Sequence, residues 1–272
     1  MALITLTTDF GTQDYMVGAV KGQILTANPR STIIDITHTL NPFNYPQAAY
    51  ICKNNLRNFP EGTFHIVLVD LFDRNPEFML LVHHRGQYIG LADNGLIKMI
   101  LDESPVEKVA LSLKNKGQKN TITCVKVFAE AIREIESGKS LPEIGDTQIE
   151  IAEKNSLRPI ITSNSIEGQI LFIDRFENVV INITREEFEE NRKGRSFKIH
   201  CTRGEPIEKI SETYGDVPMS DKLALFNTAG YLEIAVNKGN AAGLFGLERY
   251  KDPGPDDSKN RILYQTVRIF FE

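Results

Sequence analysis

Apolar and polar positions in the first half of the chain switch repeatedly between two periods. Residues 3–7 (LITLT) form a short β-rich run that ends in the polar turn Thr8-Asp9-Phe10-Gly11. From residue 14 to 27 the period lengthens, placing Met16, Val20, Ile24 and Ala27 on one helical face, and Asn28-Pro29 ends the helix. Residues 31–37 are β-branched and read as a second strand. Pro46 suits a first helical position, which predicts a helix over 47–57. Residues 63–70 (TFHIVLVD) are almost continuously apolar, the pattern of a strand covered on both faces.

Shorter strands follow at 78–82, 88–91 and 108–113, with a strong turn at Asp93-Asn94-Gly95. A helix is expected over 123–136, with Val125, Phe128, Ile132 and Ile135 inward, Val127, Ala131 and Glu134 outward, and Gly138 at its end. Interleaved strands and helices predict a mainly parallel sheet with helices on both faces. Between 142 and 165 the pattern weakens into a Pro/Gly-containing linker. Beyond it the chain is β-rich, with strands expected at 168–173, 179–183, 197–201, 223–226, 231–236 and 262–271. One short helix is signalled by the capping box Thr184-Arg185-Glu186-Glu187. Residues 252–260 read as an exposed polar loop. The expected organisation is an N-terminal α/β domain over residues 1–160 and an all-β, barrel-like domain over 161–272.

Composition narrows the function. The 272 residues are 41% hydrophobic and 25% charged with a net charge of -5, ordinary values for a globular protein. An acidic balance argues against nucleic acid as partner, because phosphate binding needs a basic face. The densest basic stretch, 114–119, holds three lysines and reads as a solvated loop. The start lacks a basic segment followed by an apolar core, and no apolar run is long enough to span a bilayer, so neither secretion nor membrane insertion is expected. Cys52, Cys124 and Cys201 are odd in number and widely spaced; they suit buried thiols in a reducing compartment, the cytoplasm by default. No G-x-G-x-x-G or P-loop pattern is present. His83 and His84 alternate across a strand and do not suit one metal, so no metal or cofactor is expected.

Ligands of open α/β sheets bind beyond the carboxyl ends of the strands. Two carboxylates occupy such places. Asp9 can accept both hydroxyls of a ribose, or instead cap the following helix. Asp70 closes the most apolar strand, where an isolated charge is costly and must be paired or put to use; Asp73 and Arg74 beyond it suit a local surface pair. In the second half, Asp174 and Asn178 share one tight turn, which suits a zwitterionic amino-acid group or simply a hairpin. The stretch 231–242 (YLEIAVNKGNAA) runs from a strand into small residues. These either let a flat ring approach the backbone or begin a tightly packed helix.

Taken in order, TTDFG (7–11), VD (69–70), ADNG (92–95), D-x-F-x-N (174–178) and YLEIAVNKGNAA (231–242) resemble the S-adenosylmethionine hydroxide adenosyltransferases, relatives of the fluorinating and chlorinating enzymes. The resemblance covers residues 3–247. It implies an N-terminal α/β domain, a C-terminal β-barrel-like domain, and trimers that bind ligand between subunits. By position it assigns Asp9 to the ribose and Asp174 and Asn178 to the methionine amino and carboxylate end. Asn240 and Ala241 fall to the adenine, and Thr228 and Ala229 to a ligand-contacting segment. The implied chemistry is attack of water or hydroxide on the 5′ carbon with methionine leaving, served by an Asp-Arg-His set. Asp70 matches the aspartate. The family Pro-Gly-Val-Gly is here Leu71-Phe72-Asp73-Arg74, the arginine position falls at or beside Glu77, and the histidine position at Thr123. Arg74 could reach in from a rearranged loop. Two readings follow: a hydrolase that uses Asp70 and Arg74, or a binding module for S-adenosylmethionine or adenosine that has lost the water-handling groups. A changed nucleophile is a third.

Overall fold

The computed structural model describes residues 1–201, 204–247 and 265–272, and the chain divides into two compact units, Met1–Ser156 and Leu157–Glu272. The expected 252–260 loop and the first residues of the last expected strand lie outside the described residues.

The first unit is built on β1 (Leu3–Thr8), β2 (Thr32–Thr37), β3 (Phe64–Leu68), β4 (Phe78–His84), β5 (Gln87–Leu91) and β6 (Glu107–Ser112), ordered β2-β1-β3-β5-β4-β6. The pairs β1/β2, β1/β3 and β3/β5 are parallel, whereas β4 is antiparallel to both β5 and β6. The sheet is therefore mixed but mainly parallel, as expected, with β4 alone running against the other five strands. The cause is local: the Arg85-Gly86 turn, with both residues at positive φ, sends the chain straight back from β4 into β5 without a helical crossover.

All five residues of β3 are buried, as its apolar run predicts. Ile66 and Leu68 join a core under α1 (Met16–Ala27) and α4 (Thr121–Glu136), while Val67 and Val69 join another under α2 (Tyr45–Leu56) and α3 (Leu96–Leu101). Period-2 alternation thus feeds both faces. Helix α3 escaped the sequence reading because six residues are too few for a helical period. On α4, Val127 and Ala131 are buried, not outward. That helix packs against α1 as well as the sheet, and Asn28 Nδ2 donates to the Ala129 carbonyl at 2.8 Å, so its buried arc is wider than one stripe. The expected linker is also no free tether. After α5 (Leu141–Ile144), residues 147–156 run as an extended strap that packs Ile149 and Ile151 on the α2/α3 core.

In the second unit, β7 (Ile160–Ile161), β8 (Ser165–Ile173), β9 (Val179–Thr184), β10 (Phe197–His200), β11 (Lys222–Phe226), β12 (Tyr231–Val236) and β13 (Thr266–Phe271) form a curled antiparallel half-barrel sheet. Its order is β10-β13-β8-β9-β12-β11, with β7 beside β8. Strand β8 pairs with β13 through its first half and with β9 through its second, with a register shift between Ile170 and Phe172. Gly168 assists this bend, since a Cβ there would lie 2.6 Å from Ile181 and Ile183 side-chain atoms. The Thr184–Glu187 capping box opens α6 (Arg185–Arg192), as expected, and Phe188 of that helix plugs the sheet against Phe197, Phe226 and Phe271. A last short helix, α7 (Ala241–Phe245), follows β12. Cys52 and Cys124 are buried and Cys201 is half-buried. No helix among the described residues is long and apolar enough to cross a membrane.

Two predictions follow from the first unit's packing. At Gly90 an added Cβ would stand 2.8 Å from the Phe128 ring and 3.0 Å from Ile66. Gly90→Ala should therefore cost about 1–3 kcal/mol by overpacking, read as a lower denaturation midpoint at unchanged slope. His65 on β3 is 2% exposed, bonded through Nδ1 to Thr5 Oγ1 at 2.7 Å, and burial pushes its pKa down to about 4 from 6.5. The unfolded chain therefore takes up a proton that the fold refuses, so stability falls as pH drops from about 6.5 toward 4. The effect is on the order of 3 kcal/mol. Histidine NMR titration should find the His65 ring still neutral at pH 5.5.

Candidate active site

Strands β1, β3 and β5 run parallel, so their carboxyl ends share one edge of the sheet. Thr8 pairs with Leu68 across β1 and β3; the next residues, Asp9 on one strand and Val69-Asp70 on the other, leave the sheet side by side. The Asp70 amide donates to Asp9 Oδ2 at 3.1 Å. Asp70 itself sits at φ +44°, a left-handed conformation that costs a non-glycine residue energy and must be held by its surroundings. Asn94, from the turn after β5, holds it: Nδ2 donates to the Val69 carbonyl at 3.0 Å and to the Asp70 carbonyl at 3.1 Å. Asn94 is only 3% exposed, so this amide is internal scaffolding.

Asp9 does not cap the helix after it. Met16 N donates to Asp14 Oδ1 at the start of α1, and the 9–11 turn is pinned by other contacts. His38 Nδ1 bonds Thr8 Oγ1 at 3.0 Å, and the Gly11 amide donates to the His38 carbonyl at 2.6 Å. Burial pushes the Asp9 carboxyl above its usual range, the Asp70 amide offsets part of this, and the nearby Asp70 charge adds to the rise. Asp70 takes a second partner through its side chain: Tyr45 Oη donates to Asp70 Oδ2 at 2.6 Å. Burial first, then that bond, hold the Tyr45 phenol above its ordinary pKa, so it stays a donor. Tyr45 is placed by the start of α2, where Asn44 caps the Gln47 amide and Pro46 follows.

The loop after Asp70 borders a depression of about 230 Å³ lined by Leu71, Asp73, Arg74, Glu77, Asp93 and Asn94, among others. Asp73 does not pair with Arg74. Its carboxylate meets Lys154 Nζ at 3.5 Å, and the same ammonium lies 3.5 Å from the centre of the Tyr45 ring. Arg74 is exposed and makes no hydrogen bond or ion pair among the described residues. Glu77, at the resembled arginine position, is exposed, and its carbonyl accepts the Leu113 amide at 2.9 Å. Thr123, at the resembled histidine position, is spent on the start of α4. Its amide donates to Asn120 Oδ1 at 2.9 Å and its hydroxyl to the Gln118 carbonyl at 2.6 Å.

In the second unit, the β8–β9 turn is closed by Asp174. Its Oδ1 accepts the amides of Phe176 and Asn178 at 2.8 and 2.9 Å, and its Oδ2 accepts Asn178 Nδ2 at 3.1 Å. The turn chemistry is therefore real, and both carboxylate oxygens take part in it. Asn240 caps α7, with Oδ1 accepting the Gly243 amide at 2.5 Å, and Ala241 behind it is buried. The Ala242 amide donates to the Glu177 carbonyl at 3.0 Å, which joins the two turns into one cluster containing Asp174, Asn178, Asn240 and Ala241. Thr228 is not brought to it. That residue is exposed in the β11–β12 turn, at the opposite end of β12 from Asn240, one strand length or roughly 17 Å away.

Tyr45, Asn94 and Lys154 were missed as individual residues in the sequence. Asn94 lay within ADNG and read as a turn residue. Tyr45 stood beside Pro46, a helix-start signal that gave no sign of where the phenol would go. Lys154 lay in the stretch read as linker, and no local pattern marks it.

Comparison with known proteins identifies the family. The family model for the SAM hydroxide adenosyltransferase N-terminal domain matches residues 4–145, and that for the C-terminal domain matches residues 168–252. A protein of Thermus thermophilus named (R)-S-adenosyl-L-methionine hydrolase is 29% identical over 252 residues, covering 88% of this chain and 94% of its own. One of the same name from Methanocaldococcus jannaschii is 26% identical over 265 residues, covering 90% and 92%. The fold is also that of an uncharacterized conserved protein from Thermotoga maritima, with a TM-score of 0.81 at 23% identity, covering 99% of this chain and 100% of the other. With both halves matched in order, the chain belongs to the SAM hydroxide adenosyltransferase family.

Proposed function

We propose that the protein hydrolyses S-adenosylmethionine to adenosine and L-methionine by attack of water at the 5′ carbon. The observation that carries this reading is the linked pair at the strand edge. Asp9 is tied to the Asp70 amide, and Asp70 is held in a left-handed conformation by Asn94 and in hydrogen-bond contact with Tyr45. The relatives named as hydrolases of this substrate support it further.

In this reading Asp9 accepts the two ribose hydroxyls. Asp70 Oδ2 is occupied by Tyr45, while Oδ1 accepts no hydrogen bond among the described residues and is the atom assigned to orient the water. As oxygen bonds to the 5′ carbon, the carbon–sulfur bond breaks and its electron pair stays on sulfur. Cationic sulfonium becomes neutral thioether, and the proton from water is released by way of Asp70. Sulfur leaves readily because departure discharges it, so the protein's task is alignment and partial dehydration of the nucleophile. Water and sulfonium suffice for this displacement, so no cofactor is assigned. Arg74 in the depression wall is the second group placed on the water-handling side. By resemblance, Asp174 and Asn178 take the methionine amino and carboxylate end and Asn240 and Ala241 the adenine. Thr228 is assigned to a ligand-contacting segment by resemblance alone. The C-terminal half-barrel corresponds to the family's barrel-like domain, the assembly is a homotrimer, and the compartment is the cytoplasm.

Incubation with S-adenosylmethionine and chromatography of the products tests the activity. Adenosine and methionine should appear in equal amounts, and Asp70→Asn should slow their release by roughly 10²–10⁴-fold. Ligand-dependent thermal stabilisation without product would instead identify a binding module. Asp9→Ala should weaken adenosine binding by roughly 10- to 100-fold through loss of charge-assisted bonds. Because the Asp9 pKa is raised, calorimetry should find wild-type affinity for adenosine falling on acidification at a higher pH than for an ordinary aspartate.

A further inference from the structure

We infer that Lys154 is a positioning residue for Asp70, acting through Tyr45; the inference rests on the hydrolase reading above. Three acidic residues stand at the edge: Asp9, Asp70, whose backbone amide donates to the Asp9 carboxylate, and Asp73 three residues on. The two positions where the resemblance calls for basic groups hold Glu77 and Thr123, the first exposed and the second spent on a helix cap. Lys154 approaches from another direction. Its ammonium covers the Tyr45 ring at 3.5 Å and stands 3.5 Å from Asp73 Oδ2, while the far end of that ring donates to Asp70 Oδ2 at 2.6 Å.

Lys154 is not a loosely held surface lysine. The strap that carries it is fastened on both sides. Before it, the Ala152 amide donates to Asp93 Oδ1 at 2.7 Å, and Glu153 engages Lys98 and the Ser104 hydroxyl. After it, Ser156 Oγ donates to Asp102 Oδ1 at 3.0 Å. Gly95 permits this approach, because a Cβ there would lie 2.7 Å from Lys154 Cγ and 2.8 Å from Lys154 N. The glycine of the ADNG turn, whose asparagine holds Asp70, thus also seats the strap.

A cation on the ring face is attracted by the π electrons and withdraws density from the phenol. The consequences are a fixed ring and a stronger hydroxyl donor to Asp70. Lys154 touches neither water nor substrate in this account, and its effect reaches the reaction through the orientation and charge of Asp70.

The test compares wild type with Lys154→Met, Lys154→Arg, Tyr45→Phe and the Tyr45→Phe/Lys154→Met double variant, each measured for kcat, KM and their pH dependence. Lys154→Met should lower kcat by about 10- to 100-fold with KM within about threefold. Lys154→Arg should restore most of the loss. The double variant should be no slower than Tyr45→Phe alone, because the lysine acts through the phenol. Wild-type kcat in Lys154→Met, or losses that multiply in the double variant, would overturn the inference. Should wild type bind S-adenosylmethionine without turning it over, the hydrolase reading fails on its own. Tyrosine ring-carbon NMR then decides: the Tyr45 signal must move in Lys154→Met and largely return in Lys154→Arg, and an unmoved signal overturns the contact.

Discussion

The hydrogen bond from the Asp70 amide to the Asp9 carboxylate joins the ends of two adjacent parallel strands, and the rest of the site is arranged around it. It exists because β1 and β3 run in register, Thr8 opposite Leu68, so that the residues leaving them emerge together. Asp70 pays for its position with a left-handed backbone. Asn94 from a third strand end offsets that strain by holding the carbonyls on either side of the Asp70 amide nitrogen. Three strand ends thus converge on one aspartate, which is the property of parallel sheets that places ligands at their carboxyl edge.

The loop after Asp70 carries Asp73 and Arg74, and Thr123 is committed to a helix cap. A further cation comes from the strap after α5, threaded over the α3 turn against Gly95. A phenol carries its influence to the aspartate. Such a substitution of route is physically reasonable because an orienting carboxylate needs a fixed geometry and a compensating charge, and more than one framework can supply both.

Much of this was legible in the sequence, for identifiable reasons. Strand β3 announced itself by unbroken apolar character, α6 by its capping box, and Asp9 and Asp70 by standing just beyond strands. The antiparallel turn of β4 was not legible, because an Arg-Gly pair allows more than one course of the chain. Helix α3 was too short to display a period, and the inner placement of Val127 and Ala131 depended on a neighbour, α1, far away in sequence. Lys154 was hidden for the same reason. Its partners Tyr45 and Asp73 are both tens of residues away, and nothing local distinguishes it from a solvated lysine.

The central claim is that the Asp9–Asp70 edge grips the adenosyl group and directs water at its 5′ carbon. Running the reaction in water enriched in the heavy oxygen isotope, followed by mass spectrometry of both products, tests it most directly. The account predicts one heavy oxygen in adenosine, at the 5′ hydroxyl, and none in methionine. Label in methionine, or adenosine carrying only ordinary oxygen, would contradict it.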